Sequence, residues 1–593
     1  MTERPSRAGT TGAWWHWPRS LVLALGLGIL VSLPSLNVGL LLDDLVHRLV
    51  LSGQLSSMGD WGPLTLYEFV GGPRSDPMRL REFGLLPWWA SDSLVVRFFR
   101  PVPSALLSLD AWLFDDAPFP AHLHSLAWFL GLVTLVGWFH RRLLPPSVAA
   151  LATVLYAVAA AHLFPVAWLA SRHPLISALL GLLAVASHVR AREDGWKPGR
   201  VLAPLLLIAA LLSGEAALGS VALLGAYEVF GRREGWRRTT VELLPFAVLV
   251  VLYLGFYASQ GYGARGSGGY LDPIGAPGAF LATLLQRVCI LAGELVVATP
   301  SDVATGTPAL HSGFAAWGAL TTVGALLMLR ALRPHLSEQE RATLRWLLPG
   351  GLAATLPGAA GVIGGRVLMV PLLAGSALAA VLILRGWAAA RETSLPRRHQ
   401  LLLRTAVFVL VLGHVVLGPL FRMGLGIALG HIADEQWRIA REAPPCAGTL
   451  VMVAASDPSV SLYVPAAMLL QGRAPRLYRL LSAAPHDHVI ERTSPEAFDL
   501  VVSGTPRHPG FWELVNRDTP PSVGTKLRLG DLNITVLESN DAGFMRAHFD
   551  FGKALESTEL CFVTWSGDGL RAITLPPPGE HLSLPYSQGP ARL

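Results

Sequence analysis

SLVLALGLGILVSLPSLNVGLLLDDLVHR, residues 20–48, decides the class of fold. The run from Leu21 to Leu42 is apolar for longer than the roughly 20 residues that cross a hydrocarbon core. It follows Arg4, Arg7 and Arg19, is too long for a signal-peptide core, and lacks a small-residue cleavage site, so it reads as a retained first span. Two acids, Asp43 and Asp44, follow it at once, beside His47 and Arg48.

The rest of the chain repeats the pattern. Of 593 residues, 52% are hydrophobic and only 15% charged, so a bilayer is the natural solvent. Further apolar runs occupy 121–139, 147–164, 174–189, 201–230, 241–259, 313–329, 346–363, 367–384 and 405–421. The 201–230 run is too long for one ordinary span, and Ser213-Gly214-Glu215 at its middle predicts a turn between two short helices. The expectation is therefore about eleven transmembrane helices with the N-terminus inside and the C-terminus outside.

Charge supports that orientation. The loops assigned to the cytoplasm (1–19, 140–146, 190–200, 231–240, 330–345, 385–404) hold 22 Lys and Arg, whereas the short outer loops hold Arg172, Arg265, Arg287 and Arg366. The formal charge of +6 is explained by this bias, and nucleic acid is not an expected partner. The segment 280–299 is apolar enough to cross but carries Arg287 and Glu294 on one helical face, and is expected to lie in the outer interface.

The expected organisation is a cytoplasmic 1–19, a membrane domain over 20–422 with 43–120 as its first extracytoplasmic loop, and an extracytoplasmic soluble domain over 434–593. The tail is polar with short β-rich runs at 449–454, 499–503, 532–537 and 560–565, so a β-rich or α/β domain is expected. The first loop carries Trp61, Trp88, Trp89, Phe98 and Phe99 and is expected to hold amphipathic helices on the membrane surface. Cys446 and Cys561 could pair if the tail is exported.

Adjacent carboxylates at a helix end raise each other's pKa and want a cation or a proton-transfer task. Asp43 and Asp44 could thus supply a general base and a partner that binds metal or orients an acceptor, or could mark a solvated helix end. Arg100, Arg172 and Arg366 stand in otherwise apolar outer turns; converging, they would hold an anionic lipid phosphate, and apart they would be interface anchors. Glu215 is a further candidate, catalytic or ion-paired. Asp115, Asp116, Asp272, Glu294 and Asp302 read as solvated loop acids. No P-loop, G-x-S-x-G elbow, H-E-x-x-H or Rossmann fingerprint occurs.

The order of these features resembles the polytopic GT-C glycosyltransferases, in particular the protein O-mannosyltransferase-like branch that includes the transmembrane and tetratricopeptide repeat O-mannosyltransferases. Asp43-Asp44 matches the acidic pair after the first span, Arg100-Pro101 an R-P step, His122-Leu123 a following His-Leu step, and Ser171-Arg172 a small-residue-Arg turn. Ser213-Gly214-Glu215 corresponds to a Ser-Lys-Glu turn, and Arg366 through Pro371 to a late arginine-to-proline stretch. Gly214, Ser125 and Phe129 depart from the family's lysine, asparagine and histidine, and the repeats are missing.

The resemblance covers roughly 20–390. It implies transfer of a sugar from a polyprenyl-phosphate donor to a protein, lipid or glycan acceptor on the extracytoplasmic face of the plasma membrane. Asp43 or Asp44 would be the base, Arg100, Arg172 and Arg366 would hold the donor phosphate, and His122 and Glu215 would support them. Some members need a divalent metal ion and others do not, so metal dependence stays open, with Asp43 and Asp44 the ligands if there is one. A lipid-linked glycan transporter or flippase and a non-catalytic assembly protein are the competing readings.

Overall fold

The computed structural model describes residues 16–590 apart from 116, 268, 306–307, 456, 458, 504–516, 518 and 542. Arg4, Arg7 and Asp116 therefore lie outside the described residues. Among the described residues eight helices are long and apolar enough to cross a bilayer, or nine if the bent pair Pro146–Val158 and Ala160–Ala167 is one span. Their outer faces fit an apolar solvent: on Trp236–Ser259, Val241, Leu244, Val251 and Leu252 are all exposed, an arrangement that water would penalise.

The sequence leads one to expect eleven spans, and the difference lies in helix length. The 201–230 run is two helices, Gly199–Leu211 and Leu218–Ala226, joined at Ser213-Gly214-Glu215 where the turn is expected. At 1.5 Å per residue neither reaches across a full hydrocarbon core. The 346–363 run is likewise represented by the short helix Glu338–Ala353. In the bent pair the break falls at Ala159, where the fully buried Arg422 donates to the Ala157 and Ala159 carbonyls and to Ser32. A guanidinium there satisfies carbonyls that a broken helix leaves open.

Pro277–Val297, expected to lie in the outer interface, is long and apolar enough to cross. Leu271, just before it, donates to Ala360; Arg287, at its middle, donates to Ala359 and Gly361; Asp302, just after it, accepts from Gly365. Both flanks and the midpoint thus attach to one short loop. It packs tightly beside His311–Ala331, with Gly293 against Gly318.

The segment 43–120, expected to hold amphipathic helices, combines helices with strands, and its helix Pro101–Phe114 exposes Leu109, Trp112 and Leu113. It holds the helices Asp43–Leu51, Pro77–Phe83 and Pro101–Phe114, and strands Glu68–Val70 and Val95–Arg97, the latter paired with Gly263–Arg265. Trp88 and Trp89 are buried against the C-terminal region: Trp88 donates to Leu481 and packs on Phe544 and Phe549. Leu45, Leu49 and Leu55 join the same core. Trp88 and Trp89 are thus the seam that fixes the loop to the tail, whereas Phe98 and Phe99 pack on Tyr270 and on Phe256 and Tyr262.

The tail begins later than expected, because the last long helix continues unbroken from Arg397 to Glu442 through a π-turn at Leu412–Leu417. Beyond it stand two sheets. In one, Thr449–Met452 pairs in parallel with Leu477–Leu480 and with Leu560–Ser566, which pairs antiparallel with Gly569–Ala572. The helix Val464–Leu470 makes the crossover that parallel strands require. The other sheet is antiparallel and six-stranded, ordered His581–Leu584, Asp487–Arg492, Ala497–Ser503, Gly543–Asp550, Leu532–Asn540 and Lys526–Leu529. Cys446 and Cys561 form a disulfide between the end of the long helix and the first sheet.

Candidate active site

The two aspartates open the helix Asp43–Leu51, and a tight turn sets their direction. Gly39 and Leu42 both have positive φ, 78° and 50°; a leucine in that region is strained and has to be held by its neighbours. His122 Nε2 donates to the Gly39 carbonyl at 2.9 Å, the Leu41 amide donates to Asp44 Oδ2 at 3.0 Å, and the Ala170 amide donates to Asp44 Oδ1 at 2.6 Å. His122 and Asp44 are buried, so both act on backbone geometry.

Asp43 faces the other way. Its Oδ1 accepts a 2.6 Å hydrogen bond from the Tyr463 hydroxyl, and the side chain is half-buried. Burial raises the Asp43 carboxyl above its ordinary range, while the Tyr463 bond and the Arg366 charge oppose the rise. Burial likewise pushes Asp44 up to about 7, against the pull of its backbone donors. His47, between Tyr67 and Phe69, is driven down to about 3 by burial and is neutral. A small cleft of about 60 Å³ opens beside Asp44, His47, Arg48, Asp110 and Asp115.

The three arginines meet different fates. Arg172 is fully buried and held by the protein: Nε donates to Ser125, Nη1 to Asp110, and Nη2 to the Ala121 carbonyl. Sealed from solvent, it fixes the 169–172 turn that carries the Ala170 amide. Arg100 is almost fully engaged too, with Nε and Nη2 on Glu215 at 3.2 and 2.8 Å, Nη1 on His173 Nε2 at 3.0 Å, and its plane over Phe98. Glu215 accepts from Tyr257 as well. Arg100 and Arg172, expected with Arg366 at a donor phosphate, thus both have protein partners.

Arg366 differs from both. It is half-buried in the turn Gly365–Val367, lies 5.9 Å from the Trp168 ring, and engages no hydrogen bond or ion pair among the described residues. Its charge acts on both Asp43 and Asp302. A free guanidinium facing a carboxylate across a partly buried space is a ready anion site.

Other residues at the site carried no usable signal in the sequence. Tyr463 lies 420 positions beyond Asp43 at the start of a tail helix, and no spacing rule links them. Asp110, His173 and Tyr257 emerge only as the partners of arginine and glutamate. Glu294 and Asp302 are misread as solvated acids: Glu294 is 3% exposed, its Oε2 accepting from the Ser301 amide and hydroxyl. Among the described residues no group of three or more His, Cys, Asp or Glu side chains could hold a metal ion.

No family model and no curated protein sequence matches the chain. Among solved structures it is similar to the oligosaccharyltransferase of the archaeon Archaeoglobus fulgidus, determined with an inhibitory peptide and a dolichol-phosphate. The TM-score is 0.40 and the identity 14%, over 77% of this chain and 64% of that one. It is also similar to ArnT of Cupriavidus metallidurans bound to undecaprenyl phosphate, with a TM-score of 0.37 and 15% identity over 78% and 89% of the two chains. This chain spans a little under two thirds of the archaeal enzyme's length, and these scores assign it to no family.

Proposed function

We propose that the chain is a membrane glycosyltransferase that moves a sugar from a polyprenyl-phosphate donor to an acceptor on the extracytoplasmic face. One observation carries the reading: Asp43, with a raised carboxyl and one oxygen free of hydrogen bonds among the described residues, faces the unengaged guanidinium of Arg366 where several outer turns converge. The order of motifs along 20–390 supports it.

In this reading Asp43 takes the proton from the acceptor's nucleophilic group as that atom bonds to the anomeric carbon. The bond from the anomeric carbon to the phosphate oxygen breaks on the opposite face. The electron pair leaves with the lipid phosphate, and Arg366 receives the growing negative charge. A single displacement inverts the anomeric centre. Asp44, His122, Arg100 and Arg172 position the turns that present these two groups. Which acceptor receives the sugar is a matter of the space beside Asp43.

The loop charges favour a cytoplasmic 1–19 with the 43–120 loop and the tail on the other side. The Cys446–Cys561 disulfide fits a tail outside the cytoplasm, where such bonds persist. The transport reading loses its coupling residue, because Glu215 is held by Arg100 and Tyr257. The test is mass spectrometry of surface glycans and glycoproteins from cells carrying Asp43→Asn in place of the normal gene. A missing glycoside with the protein still inserted supports the reading; an unchanged glycan profile ends it.

A further inference from the structure

At the other end of the first span from Asp43, among the described residues, a cavity of about 260 Å³ opens where three helices meet. The starts of Arg19–Ser32 and Pro146–Val158, which pack against each other, line it together with the finish of Pro118–Leu143. Two helices therefore turn the positive ends of their dipoles toward one hollow. Its walls are small residues, Gly137, Ala149 and Ala150, where longer side chains would fill the space.

Arg141 stands at the rim, exposed, with its guanidinium 5.1 Å from the centre of the Trp17 ring and no hydrogen bond or ion pair among the described residues. The next residue, Arg142, is by contrast taken by Glu193 and Asp194. Ser20 also lines the cavity; it is 6% exposed, and its hydroxyl has no hydrogen-bond partner among the described residues. A hydroxyl so deeply buried wants a partner. No carboxylate lines the cavity among the described residues, so a hollow with a guanidinium, a hydroxyl and two helix starts favours an anion.

The same helix that carries Ser20 turns Val22 and Leu23 outward, 65% and 40% exposed, toward the hydrocarbon. An anion held here has an apolar surface directly beside it, which suits a charge attached to acyl chains. We propose that the cavity binds the headgroup of an anionic phospholipid of the phosphatidylglycerol type. Arg141 and the Ser20 hydroxyl hold its phosphate, Trp17 covers its glycerol, and its chains run along Val22 and Leu23. The loop charges favour a cytoplasmic position for this end, and basic pockets between spans on that side are where such headgroups bind. The site lies apart from Asp43 and Arg366 and does not depend on the transfer reading.

Native mass spectrometry of the purified full-length protein in detergent, with phosphatidylglycerol added, tests the site. One phosphatidylglycerol retained in preference to phosphatidylcholine is expected. Arg141→Gln should weaken that retention about fivefold, the worth of one arginine beside an anionic lipid. Ala150→Phe should abolish it by filling the hollow, while Arg366→Ala retains the lipid normally. Equal retention of the two lipids, or normal retention in Arg141→Gln, overturns the site. Inorganic phosphate that displaces the lipid at equal concentration marks a free-anion site and overturns the lipid assignment. Should Ala150→Phe fail to fold, Arg141→Gln decides alone, because its side chain is exposed. A glycan profile unaffected by Asp43→Asn, with phosphatidylglycerol still retained, overturns the transfer reading and leaves the lipid site standing.

Discussion

Ala170-Ser171-Arg172 and Gly364-Gly365-Arg366 look alike in sequence: small residues, then an arginine, in an apolar outer turn. The folded protein uses them in opposite ways. Arg172 is sealed by Asp110, Ser125, His124 and a carbonyl, and supports the backbone amide that holds Asp44. Arg366 lies beside the Trp168 ring and engages no hydrogen bond or ion pair among the described residues. The number of acceptors within reach separates a structural arginine from a binding one, and that number belongs to tertiary structure.

The comparison can be broken by experiment. The largest effect on transfer is expected from Asp43→Asn, a fall of about 10²–10⁴-fold in rate with an unchanged melting temperature. Arg172→Met should act on stability instead, costing about 3–5 kcal/mol because Asp110 loses its buried partner, and is read by thermal melting in detergent. Arg366→Ala should lower transfer by about 10²–10³-fold with little change in melting. If Arg172→Met and Arg366→Ala exchanged these signatures, the division of labour would be wrong.

Two smaller effects sharpen the picture of the aspartates. Tyr463→Phe removes a hydrogen bond that favours the Asp43 anion, so the base titrates higher and the rising limb of the pH–rate profile moves to more alkaline pH. The rate at neutral pH falls roughly threefold to tenfold, about the worth of one such bond. Asp44 is raised from 3.8 to about 7 in the fold. Between those values the folded chain keeps a proton that the unfolded chain gives up, so this group's stability is full at low pH and declines as pH rises toward 7. Melting temperatures compared at pH 5 and pH 8 should show that decline in the wild type and its absence in Asp44→Asn.

Much of the membrane part was legible because its signals are local. Apolar length marks the spans, the Ser213-Gly214-Glu215 turn splits its run, and the acid pair announces itself by standing next to a hydrophobic helix. The tail's strands at Thr449, Leu532 and Leu560 could be read from alternation and turn residues. The joins between regions were not legible. Trp88 could as well have met lipid as Phe549, and the spacing of Arg287 and Glu294 suggested a shared polar face although one binds carbonyls and the other Ser301. Composition tells what a side chain wants, whereas the partner that supplies it depends on which distant segment arrives.

The hydrogen bond from Tyr463 to Asp43 also puts a clock on the protein's making. Asp43 leaves the ribosome well before the hydroxyl that bonds it, which follows 420 positions later. At synthesis rates of about 5–20 residues per second, that is a delay of roughly 20–80 s. During it the nascent chain carries a carboxylate lacking its partner. Completion of the tail, and not insertion of the first helix, is therefore the moment at which Asp43 acquires its working geometry, so truncated products are left without it.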